Sequence, residues 1–210
     1  MSLSYIIGQI VKLFLLLTPF FVLSVFVATC DEMDSKQRKM LALRTGLAVI
    51  VACLILYLFG KIIFEGLGIS LNAFRVGAGL VLMLNGIDMV RSSLPKNRQL
   101  SEEGDMSVVP LAIPTTVGPG TIGAMLVMGA SAAVRAKELG ISRILMLSVE
   151  VAVIIIAGIG VTAMLFYSES LNRLLKDKGV RILSKLTGMY IVALAAQIIF
   201  DGVRGFLNIA

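Results

Sequence analysis

Apolar residues in this chain gather into long runs parted by short polar stretches. A helix that crosses a membrane needs about 20 mostly apolar residues. Runs of that length lie near 5–29, 41–63, 71–90, 108–134, 144–167 and 182–206. The pattern predicts an all-α fold, a polytopic membrane protein of six transmembrane helices, with nothing left over for a separate soluble domain.

The most polar stretch, 91–107, holds Pro95, Lys96, Asn97, Arg98 and Gln99, then Glu102, Glu103 and Asp105. It divides the chain into a first three-helix unit (1–94), a polar connection (95–107) and a second three-helix unit (108–210). A unit with an odd number of spans, repeated once, faces the membrane in opposite directions, so the expected architecture is two inverted repeats. Thr18-Pro19 matches Gly118-Pro119 at an offset of 100, and Arg44 matches Arg143 at 99. Gly79 precedes Asp88 by nine, as Gly188 precedes Gln197, an offset of 109. A rival register pairs Asp88–Arg91 with Asp201–Arg204 at 113, and both registers stay open at this point.

Two of the spans are interrupted. Proline inside a helix removes a backbone hydrogen bond and clashes with the preceding turn. Thr18-Pro19 reads as the start of a new half-helix, with threonine as N-cap and proline at the first helical position. The fourth span carries Pro110, Pro114, Thr115, Thr116, Gly118, Pro119, Gly120 and Thr121, too many breakers for one regular helix. The expected form is an entering segment, a non-helical link at 115–118 and a half-helix from Pro119. Irregular backbone at membrane depth persists only where protein or a watery cavity covers it. A half-helix start offers unpaired N–H groups and partial positive charge, which suits a carboxylate. Two such breaks related by an inverted repeat would face one another near the midplane, the arrangement of secondary-transporter substrate sites.

Composition narrows the picture. Hydrophobic residues are 58% and charged residues 15%, against roughly 25% charged in soluble domains. The chain has no histidine, which removes imidazole metal sites and Ser-His or Cys-His pairs. Its two cysteines, Cys30 and Cys53, have no framework spacing and read as small core residues. The first span carries Lys12 at its middle and lacks a basic leader, so it reads as a span and not a signal peptide. The net charge of +6 sits in connections and not on one polar face, which argues against nucleic acid. Twelve of the 19 basic residues fall in the odd connections and seven on the other side, among them Lys12, Arg75, Arg135, Arg143 and Arg204. The bias puts both termini outside.

Polar groups inside the spans are the remaining candidates. Glu150 is a candidate coupling group, with a structural pair to Lys12 or a protonated place in a helix interface as the alternatives. Asp88 and Asp201 each precede an arginine by three and read first as interfacial pairs, with Asp88 also a coupling candidate. Asn85 and Gln197 are candidates for binding substrate or a neighbouring helix. Tyr5, Tyr57 and Tyr167 are expected to anchor at the interfaces.

Pro110–Pro114 followed by Gly118-Pro119-Gly120 resembles the signature of the MarC family, which includes the SnatA-type small neutral amino acid transporters. The glycine-rich third span ending in Asp88-Met89 and the stretch from Gly188 to Gln197 are similar too, and the resemblance covers nearly the whole chain. It implies two inverted three-helix repeats and substrates such as glycine, alanine, serine or threonine. The family often has Asn-Pro and a second proline in the first span, where this chain has Thr18-Pro19-Phe20 and none further on.

The expected function is therefore a secondary transporter of small neutral amino acids in the inner membrane, working by alternating access, with export as one direction considered. Expected substrate-binding residues are Thr18, Pro19, Phe20, Asn85, Thr115, Thr116, Gly118, Pro119, Gly120, Thr121 and Gln197. Expected partners are membrane lipid, the amino acid and a coupling proton or sodium ion. No cofactor or metal is implied, and the oligomeric state is open. A non-transporting scaffold or regulator, and efflux of another small solute, are the alternatives. An intramembrane enzyme finds no clear nucleophile–base pair, and no phosphate-binding loop is present for direct ATP use.

Overall fold

A single left-handed residue, Thr18 (φ 50, ψ 49), splits the first apolar run into α1 (Leu3–Leu16) and α2 (Pro19–Thr29), bent by 41°. The computed structural model describes residues 3–30, 33–91 and 116–207, without the side chains at 61, 64, 65, 67 and 177. Every regular element among these residues is a helix. After the first pair come α3 (Ser35–Leu67), α4 (Leu71–Arg91), α5 (Pro119–Ala130), α6 (Ala132–Glu138), α7 (Arg143–Phe166) and α8 (Ser168–Leu207).

Four of the described helices are long and apolar enough to cross a membrane, at Ser35–Gly60, Leu71–Arg91, Arg143–Phe166 and Lys178–Leu207, and the bent α1–α2 pair makes a fifth. The expected fourth span is represented by α5, twelve residues long. Its entering half, with Pro110, Pro114 and Thr115, lies outside the described residues, as does the polar connection 95–107.

Local sequence explains several element ends. α3 starts earlier than its apolar run because Asp34 caps it. The Asp34 carboxylate accepts from Gln37 N at 2.7 Å, and Gln37 Oε1 accepts from Asp34 N at 3.1 Å, a reciprocal capping box. α7 starts at Ser142, whose hydroxyl accepts from Leu145 N at 3.2 Å. α8 contains a non-helical residue, Lys176 (φ 53, ψ 169), which separates a short leading segment from the span.

The helices pack in exchanged pairs. α3 lies on α5, and α7 lies on α1 and α2; α4 lies on α5, and α8 lies on α2 and α1. α4 packs directly against α8, and α3 against α7. Glycine makes the α4–α8 contact close. A Cβ on Gly86 would stand 2.9 Å from Gly188 O, and one on Gly79 would stand 3.0 Å from Ala195 O. Small residues at such crossings let backbones approach where lipid supplies no hydrophobic drive. Gly86→Val is expected to cost about 1–3 kcal/mol, the usual range for overpacking, read as a lower unfolding midpoint in detergent. Gly77→Ala faces open space and is expected to stay within about 0.5 kcal/mol.

Candidate functional site

The two sequence breaks meet. At the first, Thr18 N donates to Leu15 O at 3.0 Å, tightening the end of α1, and Val22 N donates to Thr18 O at 3.0 Å as α2 begins. At the second, Gly118 is the N-cap of α5, Pro119 takes the first helical position, and Ile122 N is the first to find an acceptor within the helix, Gly118 O at 2.9 Å. Thr121 joins the breaks. Its hydroxyl stands 3.4 Å from Leu16 O, at the end of α1, and 3.5 Å from Thr116 O. Thr116 and Thr121 are both buried.

Thr18 does not act as the N-cap its sequence suggests. It holds the N-cap position of α2, but its backbone is left-handed and its side chain forms no capping bond. The Thr18 hydroxyl oxygen is buried without a hydrogen-bond partner among the described residues. Asn85 lies against the second break. A Cβ on Gly120 would meet Asn85 Nδ2 at 3.0 Å and Leu82 Cα at 3.0 Å. Phe20 is placed elsewhere: it packs on a small apolar cluster with Leu23, Met164 and Val180. Thr115 is outside the described residues.

Above the breaks opens a cavity of about 750 Å³. Its α1 wall runs from Tyr5 to Leu16, a rise of about 16 Å along the helix, roughly half of a ~30 Å hydrocarbon layer. Leu16, Ala124, Met125 and Leu194 are its apolar lining nearest the breaks, so the breaks themselves lie beneath it. Gln197 belongs to the α8 wall, which accounts for an exposed amide on an otherwise apolar stretch.

The side of the cavity carries a buried charge network that the sequence did not reveal. Glu150 Oε1 accepts from Arg135 Nε at 2.9 Å and from Nη2 at 2.6 Å, and Glu150 Oε2 accepts from the Tyr57 hydroxyl at 2.5 Å. Arg135 Nη2 also donates to Met128 O. Glu150 is 4% exposed and Tyr57 2%. Two expectations are corrected here: Glu150 pairs with Arg135 and not Lys12, and Tyr57 is a buried donor and not an interfacial anchor. Buried charges need such partners, because an ion without one keeps its full desolvation cost. Arg75 also enters this wall, donating to Ser131 Oγ at 2.9 Å and Asn72 Oδ1 at 3.3 Å.

On the far side Arg38 gathers three elements. Arg38 Nη1 pairs with Glu169 Oε1 at 2.8 Å, while Nη2 donates to Cys30 O and Met33 O at 3.0 Å each. One guanidinium thus ties the end of α2, the start of α3 and the start of α8. Asp88, at the last turn of α4, forms no ion pair with Arg91 among the described residues. Both are exposed, and a solvated pair gains little over hydration.

Residues 3–207 match the family described as MarC family integral membrane protein. A UPF0056 membrane protein of Methanocaldococcus jannaschii is 32% identical over 214 residues, covering 99% of this chain and 100% of the relative. The UPF0056 inner membrane protein MarC of Escherichia coli is 27% identical over 205 residues, covering 92% and 91%. A UPF0056 membrane protein of Pyrococcus abyssi is 26% identical over 203 residues, covering 95% and 94%. No solved structure matches.

Proposed function

The chain belongs to the MarC family of multi-pass integral membrane proteins, and from that premise we propose that it is a secondary transporter of small neutral amino acids. The observation that carries the reading is the meeting of two interrupted spans through Thr121 and Leu16. In this reading the substrate carboxylate lies at the start of α5, where the N–H groups of Gly120 and Thr121 precede the first helical acceptor. The hydroxyls of Thr18, Thr115 and Thr116 and the unwound carbonyls take the ammonium. Phe20 shapes the packing of α2 and has no direct contact.

Two inverted repeats, six spans in all, belong to the same proposal. The exchanged helix pairs support it, since each first span packs on the second and third spans of the other half. The close contacts favour the offset of 109: applied to Gly86 against Gly188, it gives Gly79 against Ala195, and both contacts occur. The halves rock about the breaks to give alternating access. In this reading the terminus-bearing side, where the cavity lies, is the open one, and the Arg38 clamp would close the other. The charge bias assigns the open side to the outside of the inner membrane. Glu150 already holds two donors, so it takes a positioning role, and Asp88 is left as the coupling carboxylate. No enzymatic step is assigned.

The test is access to Thr18. In a background with Cys30→Ala and Cys53→Ala, Thr18→Cys is expected to react with a membrane-impermeant thiol reagent added to either face, and alanine is expected to slow both reactions. Labelling from one face only, at a rate alanine leaves unchanged, would refute the reading. Adding Arg38→Ala, which removes the clamp, is expected to speed labelling from the closed face.

A further inference from the structure

The cavity wall holds more positive charge than its acids balance. Lys12, Arg75, Arg135 and Arg204 line it, against Glu138 and Asp201. Arg135 is answered by Glu150, and Arg75 is held by two neutral groups, Ser131 and Asn72. Lys12 is different. It is half-buried four residues before the end of the apolar helix α1 and makes no hydrogen bond or ion pair among the described residues. Lys12 stands six residues before Thr18, about 9 Å along the helix, one turn above Leu16 at the inner end of the cavity.

A cation at this depth is costly unless something answers its charge, and such groups face a partner or a watery path. Gln197 lines the same cavity from α8. Its amide supplies a neutral donor and acceptor. We propose that this cavity is a binding site for small carboxylate-bearing solutes, separate from the breaks, with Lys12 as the partner of the carboxylate and Gln197 as a second polar contact. The amine is not required, because the wall's acids, Glu138 and Asp201, are exposed toward the rim. The site would be the first stop of the proposed transport cycle and rests on that reading for its place in the cycle, though not for the binding itself.

The test uses the full chain in nanodiscs of uncharged lipid, with radiolabelled propionate, alanine and ethylamine as probes. Propionate and alanine are expected to bind, and ethylamine is not. Lys12→Met is expected to weaken propionate binding about tenfold or more, the scale of a lost charge-assisted hydrogen bond. Lys12→Arg is expected to recover it to within about threefold. Lys137→Met, an exposed α6 cation outside the wall, is expected to leave it unchanged. Equal binding of ethylamine and propionate by the wild type would overturn the proposal, and that comparison stands even where Lys12→Met does not fold. Unchanged affinity in Lys12→Met would also overturn it. Propionate bound without any alanine flux would remove the transport reading and leave this site standing; alanine flux without carboxylate binding would do the reverse.

Discussion

Glu150→Ala is expected to be the most destabilising single substitution in the protein. It would leave the Arg135 guanidinium and the Tyr57 hydroxyl facing a gap where both now reach one carboxylate. Removing one partner of a buried pair costs on the order of 3–5 kcal/mol, because the remaining charge keeps its desolvation cost without its counter-ion. Arg135 is a quarter exposed, at 25%, to the cavity, which places the loss at the lower end of that range. The measurement is the thermal midpoint and monomer yield of purified protein in detergent. Glu150→Gln retains an acceptor and is expected to lose less. The double variant Glu150→Leu with Arg135→Met is expected to recover most of the loss, since neither charge is then stranded. An Ala variant as stable as the wild type would show that the network contributes nothing.

The largest expected effect on function is at Gly120. A side chain there would begin 2.8 Å from Leu82 Cδ1 and 3.0 Å from Leu82 Cα. The leucine tip can move, but the α4 backbone cannot yield without shifting the helix. Gly120→Leu therefore forces α5 away from α4 and displaces the N–H groups proposed to hold the carboxylate. Alanine uptake by liposomes bearing this variant is expected to fall to the protein-free level. Gly66→Ala, whose site is open space, is expected to keep wild-type uptake. A Gly120→Leu protein that elutes normally and still carries alanine would contradict the site.

The sequence announces the breaks because proline and glycine act locally. Thr18-Pro19 and Gly118-Pro119-Gly120 cannot continue a helix whatever surrounds them. The buried network beside the cavity is different in kind. Tyr57 and Glu150 are 93 positions apart, and only packing brings the phenol to the carboxylate. On its own, a tyrosine near the end of an apolar run looks like an interfacial anchor. Arg135 lies in a polar connection, where a cation is read for topology. That reading also hid the cavity, since four of the seven basic residues expected on the outer side line it, from four different helices. Basic residues counted for orientation were therefore also the sign of a polar cavity. Lys176 was not anticipated, because the kink falls on a lysine and not on Gly179, the nearest breaker, three residues further on. The 109 and 113 registers each pair plausible residues along the chain, and the repeat proposed above takes the first on the close contacts at Gly79 and Gly86, which no linear pattern displays.

The most direct measurement of the central claim is counterflow. Liposomes containing the wild-type protein are loaded with unlabelled alanine and diluted into a trace of labelled alanine. The account predicts a transient accumulation of label above equilibrium, reproduced with glycine and serine inside and absent with Gly120→Leu. Label that never rises above protein-free liposomes, with any of the small neutral amino acids, would contradict it.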